Sequence, residues 1–136
     1  MANIDMNELF RMAKTAAKSA YAPYSNFRVG AALLGANGKI YTGCNVENRS
    51  FGLTICAERT AVTKAVSEGC RSFKALAVST PDSDIPVGPC GACRQVLSEF
   101  MPSIAPVRFG GKSAERVNST IGELIPYDSL HDLGKA

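Results

Sequence analysis

The chain has 136 residues, which suits one domain, and a domain of this size buries roughly two thirds of its unfolded surface. Hydrophobic residues make up 46% and charged residues 20% of the composition, which excludes the highly charged, apolar-poor pattern of disordered proteins. The net charge of +3 comes from basic residues scattered along the chain, so a nucleic-acid partner is not expected.

The first predicted element is an amphipathic helix that begins after Asp5, whose carboxylate is placed to cap the first turn. Its apolar positions recur at helical intervals, at Met6, Leu9, Phe10, Ala13, Ala16, Ala17 and Ala20. Because charges run through residues 1–20, this segment lacks a signal-peptide core, and no apolar stretch approaches the length of a membrane span. We therefore expect a cytoplasmic protein without a membrane partner.

A β-hairpin is predicted next. Pro23 ends the helix, and two apolar strands over 27–34 and 39–46 are joined by Asn37-Gly38, a pair that tolerates positive φ. A polar loop then leads to a second helix that stops near Gly69, a residue suited to a left-handed cap. The apolar face of this helix comprises Ala57, Ala61, Val62, Ala65 and Val66.

The second half of the chain alternates strands and helices. A strand over 75–78 and a loop over 81–89 precede a helix that Pro102 closes, followed by a strand over 107–109 and a helix over 121–125. Strand–helix–strand units after a hairpin predict an α/β fold, in which a single mixed β-sheet is sandwiched by helices. We expect one domain over residues 1–136.

Five cysteines, an odd number, favour free or metal-bound thiols over a disulfide framework. Cys56 and the pair Cys90 and Cys93 lie where loops enter predicted helices, and a helix N-terminus favours the thiolate that a metal needs. Three thiolates around Zn²⁺ leave one tetrahedral position for water, which is the catalytic pattern of zinc. Cys44 and Cys70 are expected to be buried or incidental thiols, with Cys44 as an alternative fourth ligand.

Glu58 lies two residues after Cys56, too close to be a comfortable ligand but able to approach water on the ion. It is therefore expected to act as general base and acid. Arg59 is placed to donate to the ligand sulfurs and to offset the negative charge of three thiolates. The alternative for Arg59 is an ordinary solvated helix arginine.

Two other kinds of site share part of this pattern. A Cys-x-x-Cys pair also occurs in structural zinc sites and in thioredoxin-like redox proteins. Cys-x-Glu, the proline before Cys90 and the distance between the two motifs favour a catalytic zinc site, and they match the known signature of zinc deaminases with Cys in place of His.

At these residues the sequence resembles the cytidine deaminase family, in particular its short, three-cysteine, homotetrameric branch. The segments that carry the resemblance are YAPYS at 21–25, FRVGAA at 27–32, GCNVEN at 43–48, CAERTA at 56–61 and PCGACRQ at 89–95. The resemblance implies a three-layer deaminase fold and one Zn²⁺ per chain. It also implies hydrolysis of cytidine and deoxycytidine to uridine and deoxyuridine, with release of ammonia, in pyrimidine salvage.

The resemblance further implies a set of substrate contacts. Phe27 stacks on the pyrimidine, Asn45 and Glu47 hydrogen-bond the ribose 3′-hydroxyl, and Ala57 and Glu58 read the base edge. An amide and a carboxylate suit a neutral sugar, whereas Glu47 would repel a nucleotide phosphate. From residue type alone, Phe27, Asn45 and Glu47 are more often core, turn and surface residues.

In the related tetramers each pocket is completed by a neighbouring subunit, so Phe51 is a candidate for a contact across the interface. The family commonly ends with Leu-Leu-Pro and, after two variable residues, a Phe. Here Leu124-Ile125-Pro126 is followed by Tyr127, and Ser129 occupies the usual Phe position. Either Tyr127 provides that aromatic surface from a shifted backbone, or the aromatic cover of the neighbour's pocket is missing. His131 is expected not to be a ligand.

Alternative substrates remain open at this point. Blasticidin-type deaminases share both cysteine motifs, but Phe27, Asn45, Glu47 and Arg59 together favour cytidine. A polynucleotide deaminase would need a strand-binding groove for which this chain has little room. A free pyrimidine nucleoside is the expected substrate.

Overall fold

The computed structural model describes residues 4–131, 133 and 134. Over these residues the strands are β1 (Gly30–Gly35), β2 (Ile40–Cys44), β3 (Phe73–Ser79), β4 (Pro106–Gly110) and β5 (Val117–Thr120). The α-helices are α1 (Met6–Ala16), α2 (Ala57–Ser67), α3 (Gly91–Phe100) and α4 (Ile121–Leu124), and 3₁₀ turns lie at Ala17–Ser19 and Phe51–Leu53. Among the described residues, no helix has the length and apolar character needed to cross a membrane.

All five strands lie in one mixed sheet with the order β2-β1-β3-β4-β5. The β3–β4 pair is parallel and the other neighbouring pairs are antiparallel. Helix α3 lies in the crossover between β3 and β4, as a parallel connection requires. The predicted mixed sheet is therefore confirmed.

The hairpin is also confirmed, but its strands are shorter than predicted. Gly38 has φ of +85° in the turn, which matches the expected use of Asn37-Gly38. The first strand begins at Gly30 instead of residue 27, because the side chain of Asn45 binds the backbone there. Asn45 Oδ1 accepts from Val29 N at 2.9 Å and Asn45 Nδ2 donates to Phe27 O at 2.8 Å.

Strand β5 is an element that the sequence did not predict. It pairs with β4 at the edge of the sheet, with Val107 opposite Ser119 and Phe109 opposite Val117. The segment reads Val-Asn-Ser-Thr, so it has one large apolar residue and no alternation to indicate a half-buried strand. Its position is set by pairing with β4 and not by local pattern.

Helices cover both faces of the sheet. Helix α1 packs on one face, where Leu9, Phe10 and Ala13 contact small side chains of the strands, namely Ala32, Ala75 and Ala77. Helices α2 and α3 pack on the other, with a larger cluster that includes Leu33, Val62, Leu76, Leu97 and Val107. Successive residues of a strand point to opposite faces, so Ala32 and Leu33 belong to different layers.

Two glycines let the helices approach the sheet closely. A Cβ added at Gly30 would lie 2.0 Å from the backbone oxygen of Ala13 in α1. A Cβ added at Gly43 would lie 2.5 Å from the backbone oxygen of Ala57 and 2.5 Å from the backbone nitrogen of Ala61 in α2. The second contact fixes the start of α2 against β2, and with it the position of Cys56.

Gly30→Ala is expected to lower the free energy of unfolding by about 1–3 kcal/mol or more, because backbone must shift to make room for the methyl group. Gly52→Ala is the matched control, since a Cβ at Gly52 meets no described atom within 4 Å and its change should stay within about 0.5 kcal/mol. Urea denaturation of the three proteins measures both values. Equal stabilities would show that α1 does not press on β1 as described.

An ion pair ties the segment before β1 to the loop after β3. Arg28 Nε lies 3.0 Å from Asp82 Oδ2, Arg28 Nη2 lies 2.8 Å from Asp82 Oδ1, and the Arg28 backbone N–H donates to the same carboxylate. The hydrogen bonds from Arg28 lower the pKa of Asp82 to about 2. This carboxylate therefore stabilises the fold when ionised.

The stabilising effect of Asp82 is expected to depend on pH. Since the pKa of Asp82 is lower in the folded chain, its contribution is complete above the unfolded value of about 4 and is lost as pH falls towards 2. Asp82→Asn should therefore be less stable than the unsubstituted chain at pH 7, and the small, solvent-screened difference should narrow below pH 4. Urea denaturation at pH 7, 4 and 3 checks this. A difference that grows on acidification would contradict it.

Candidate active site

Three cysteine sulfurs meet where α2 and α3 begin. Cys56 is the N-cap residue of α2, Cys90 is the N-cap residue of α3, and Cys93 lies in the first turn of α3. The three Sγ atoms lie within 4.8 Å of one another, and those of Cys56 and Cys90 are 3.8 Å apart. The two helix starts thus bring together the three residues that the motifs indicated.

This sulfur spacing fits a zinc ion. Tetrahedral zinc with Zn–S bonds of about 2.3 Å separates its sulfur ligands by about 3.8 Å, the distance between Cys56 and Cys90. Cys93 is buried and Cys90 is exposed, so the cluster is open on one side. Within the described chain, Cys44 and Cys70 lie outside the metal-compatible group. Three sulfurs leave a fourth position for water or substrate.

Glu58 lies beside this cluster, in the first turn of α2. Its exposed fraction is only 4%, and its Oε1 is buried without a hydrogen-bond partner among the described residues. Burial, with a smaller contribution from the negative charge of Cys56, raises the pKa of Glu58 to about 7. A carboxyl that titrates near neutral pH can both accept and donate a proton, and a buried unpaired oxygen commonly marks a functional site.

Arg59 contacts the sulfur cluster. Its Nη2 lies 3.4 Å from Cys56 Sγ, and its Nε is buried without a partner in the described part of the chain. Hydrogen bonds from Cys93 and Arg59 lower the pKa of Cys56 to about 5. The pKa of Cys93 is raised, because it donates to Cys56 and is buried. The guanidinium therefore stabilises negative charge on sulfur.

The segment that carries Asn45 and Glu47 runs alongside the segment that enters α2. Val46 and Ile55 exchange backbone hydrogen bonds of 2.9 Å in both directions. Ile55 directly precedes Cys56, so this antiparallel bridge brings Asn45 opposite Cys56 and Glu47 opposite Thr54. Asn45 is buried, with 7% exposure, and its amide holds the backbone around Phe27.

Glu47 lines a cavity of 350 Å³ together with Tyr24, Ser25, Phe51 and Thr54. Its Oε1 accepts from Tyr24 N at 3.0 Å and from Ser25 N at 3.2 Å, and its Oε2 accepts from the Ser25 hydroxyl. These bonds, led by the one from the Ser25 hydroxyl, lower the pKa of Glu47. An ionised carboxylate thus faces the cavity.

The two residues expected at a subunit interface are both exposed. Phe51 is 73% exposed, and its ring lies 5.8 Å from that of Tyr24. Tyr127 is fully exposed and has φ of +56°, a left-handed conformation that is uncommon outside glycine. The described chain places Phe51 at the cavity of Glu47, whereas Tyr127 does not line it.

Two residues near the site received no role from the sequence. Ser25 binds Glu47 through its hydroxyl, and Arg94 donates from Nε to Pro89 O at 2.7 Å and from Nη1 to Leu124 O at 3.0 Å. Arg94 thereby ties the residue before Cys90 to the end of α4. Both residues lie within the motifs that carry the family resemblance, and this position in the motifs is the sequence feature that could have indicated a role for them.

Known proteins resemble this chain over most of its length. Residues 4–109 match the cytidine and deoxycytidylate deaminase zinc-binding region. A cytidine deaminase of Sporosarcina psychrophila is 50% identical over 123 residues, covering 90% of this chain and 90% of that protein. One of Halalkalibacterium halodurans is 48% identical over 123 residues, covering 90% of this chain and 92% of that protein.

A solved structure agrees with these relatives. The crystal structure of cytidine deaminase from Burkholderia pseudomallei matches with a TM-score of 0.86 and 44% sequence identity, covering 91% of this chain and 98% of that chain. The expected three-layer deaminase fold and the zinc cofactor are confirmed by this match and by the three-cysteine cluster. The chain belongs to the cytidine deaminase family of zinc enzymes.

Proposed function

We propose that the chain hydrolyses cytidine and deoxycytidine to uridine and deoxyuridine, with release of ammonia, and that it serves pyrimidine salvage. The observation that carries this proposal is the buried, unpaired Oε1 of Glu58 beside three sulfurs spaced for zinc. The relatives described above, which are named cytidine deaminases, support the choice of substrate. Residues 1–136 are proposed to form one domain.

Cys56, Cys90 and Cys93 would hold one zinc ion, with the fourth position open. When bound, zinc acidifies a water molecule and thereby provides a nucleophile at neutral pH. Arg59 and the N-termini of α2 and α3 withdraw negative charge from the thiolates. This compensation matters because the negative charge of three thiolates exceeds the positive charge of the ion. Without it, a water molecule on the ion would be less acidic.

Glu58 would move the protons of the reaction. Its Oε1 accepts a proton from the attacking water and passes it to N3 of cytosine. A C–O bond forms at C4 and the C4–N bond breaks, and Glu58 delivers a second proton from the same water to the departing amino group. The oxygen ends on the base as the carbonyl of uracil and the nitrogen leaves as ammonia. A pKa near 7 suits a group that both accepts and donates.

Four further residues are proposed to bind the nucleoside. Phe27 stacks on the base, Ala57 reads the base edge through its backbone, and Asn45 and Glu47 bind the 3′-hydroxyl of the sugar. Glu47 and Asn45 keep hydrogen-bonding groups for the sugar, since a carboxylate has about four acceptor sites and an amide nitrogen has two donors. The ionised Glu47 also repels a phosphate, which favours free nucleosides over nucleotides.

We further propose a cytoplasmic homotetramer in which Phe51 or Tyr127 reaches a neighbour's pocket. The high exposure of Phe51 and of Leu53, 73% and 66%, supports burial of this segment against another copy. Light scattering measures the assembly directly. A fully active monomer at micromolar concentration would contradict a shared pocket.

The proposed activity is tested with purified protein by the loss of cytidine ultraviolet absorbance and by the release of ammonia, together with an assay of bound zinc. Blasticidin S and single-stranded DNA serve as comparison substrates. Turnover of cytidine with about one zinc per chain is the expected result. Zinc without turnover of either nucleoside would favour a structural metal site or another substrate.

A further inference from the structure

Ser25 joins the proposed sugar site to the proposed base site. Its hydroxyl donates to Oε2 of Glu47 and accepts from the backbone N–H of Phe27, at 3.0 Å. On the other side of Phe27, its backbone oxygen accepts from Asn45 Nδ2 at 2.8 Å. One hydrogen-bonded chain, Glu47–Ser25–Phe27–Asn45, therefore connects three residues that the proposed function assigns to the nucleoside.

The carboxylate of Glu47 has little freedom to turn. Both of its oxygens accept from the same short segment, since the N–H groups of Tyr24 and Ser25 bind Oε1 and the Ser25 hydroxyl binds Oε2. These three bonds occupy three of about four acceptor sites. The remaining acceptor site of the carboxylate therefore points in a fixed direction. A fixed acceptor can bind a hydroxyl at only one position of the sugar.

The backbone after Ser25 is shaped for this contact. Asn26 has φ of +56°, and its N–H donates to Ala22 O at 3.0 Å, so the chain reverses direction between Ser25 and Phe27. Asparagine is one of the few residues that tolerate this left-handed conformation. The turn brings the N–H of Phe27 back to the hydroxyl of Ser25, so that one oxygen can serve both Phe27 and Glu47.

We infer that Ser25 is a positioning residue whose hydroxyl aims Glu47 at the 3′-hydroxyl of the sugar and couples that contact to the backbone of Phe27. Ser25 acts through Glu47 and has no part in the proton transfers. This inference rests on the proposed function, because it needs Glu47 to bind the sugar. It adds a determinant of nucleoside recognition that lies outside the metal cluster and outside the residues that contact substrate.

Ser25→Ala is expected to raise the KM for cytidine and the dissociation constant of the product uridine about tenfold, with kcat changed less than twofold. With 2′,3′-dideoxy nucleosides, which lack the 3′-hydroxyl, the same substitution should change binding only about twofold. Ser25→Thr keeps the hydroxyl and should restore binding to within about threefold. Steady-state kinetics and calorimetric titration with uridine and dideoxyuridine give these values.

A readout that does not need turnover is the titration of Glu47, followed by carbon NMR of its carboxyl. Removing the Ser25 hydroxyl should raise the pKa of Glu47, because that hydroxyl is the main group lowering it. Ser19→Ala is the matched control, since the Ser19 hydroxyl makes no hydrogen bond within the described residues. It should alter neither nucleoside binding nor the Glu47 titration.

The outcomes separate this inference from the proposed function. If the unsubstituted chain deaminates cytidine but Ser25→Ala binds all nucleosides equally well, the positioning role is wrong and the activity stands. Equal losses of affinity for nucleosides with and without the 3′-hydroxyl would also overturn it, because they would indicate a general disturbance of the loop. If the unsubstituted chain neither binds nor deaminates these nucleosides, the proposed function is wrong and this inference with it.

Discussion

Replacing Glu58 by glutamine is expected to lower kcat for cytidine by a factor of at least about 10²–10⁴, the usual contribution of a positioned acid–base group. Glutamine keeps the size and the polar end of the side chain, so the buried position is filled as before. It cannot accept a proton from water or return one to N3 of the base. Because Glu58 is not among the three clustered sulfurs, zinc content should remain near one per chain.

Glu68→Gln is the matched control for this experiment. Glu68 lies at the other end of the same helix, where it is the exposed C-cap residue of α2. Its substitution makes the same chemical change at an exposed position and should leave kcat within about twofold. If Glu58→Gln retained full turnover, the proton transfers would have to be assigned to another group. If it lost zinc as well as activity, the experiment would report a damaged site instead of a missing base.

Cys93→Ser should remove both zinc and activity. Serine has nearly the size of cysteine, so the first turn of α3 keeps its shape, but a neutral hydroxyl is a poor replacement for a thiolate ligand. Loss of an outer-shell partner already weakens metal binding about 10–100-fold, so loss of a direct ligand should exceed about 100-fold. Dialysis against a metal buffer followed by elemental analysis measures the remaining zinc.

Cys44→Ser distinguishes the three-ligand site from a four-ligand one. Cys44 lies at the end of β2 and outside the metal-compatible group of the described residues, so its substitution should leave one zinc per chain and near-normal kcat. Retention of zinc after Cys93→Ser, or its loss after Cys44→Ser, would contradict the proposed ligand set. A closed four-sulfur site would also lack a position for water, as structural zinc sites do.

The parts of the molecule that the sequence predicted are those with strong local signals. Asn37-Gly38 marked the hairpin, and Cys56, Cys90 and Cys93 marked two helix starts that had to meet if they shared a metal. The strand predicted over 75–78 lies within β3, one face of which packs on α1 and the other on α2 and α3. In each case, a few residues that are close together in the sequence are enough to predict the element.

The parts that were missed depend on residues far apart in the chain. Strand β5 exists because β4 offers it a partner, although its own residues are mostly polar. The late start of β1 depends on Asn45, whose side chain takes hydrogen bonds that a strand partner would otherwise make. The contact of Ser25 with Glu47 joins positions 22 residues apart, and no spacing rule indicates such a pair.

The ligands of the proposed zinc site come from two helices. Cys56 and Cys90 lie 34 positions apart in the sequence, and the segment between them includes all of α2 and β3. Metal binding therefore closes a long loop of the chain as well as completing a site, and it stabilises the folded state by an amount that rises with the logarithm of the free metal concentration. The thermal midpoint of this protein is accordingly a property of the protein together with its metal buffer. Zinc limitation should reduce the amount of folded protein in addition to its activity, which links the abundance of such an enzyme to the metal status of its surroundings.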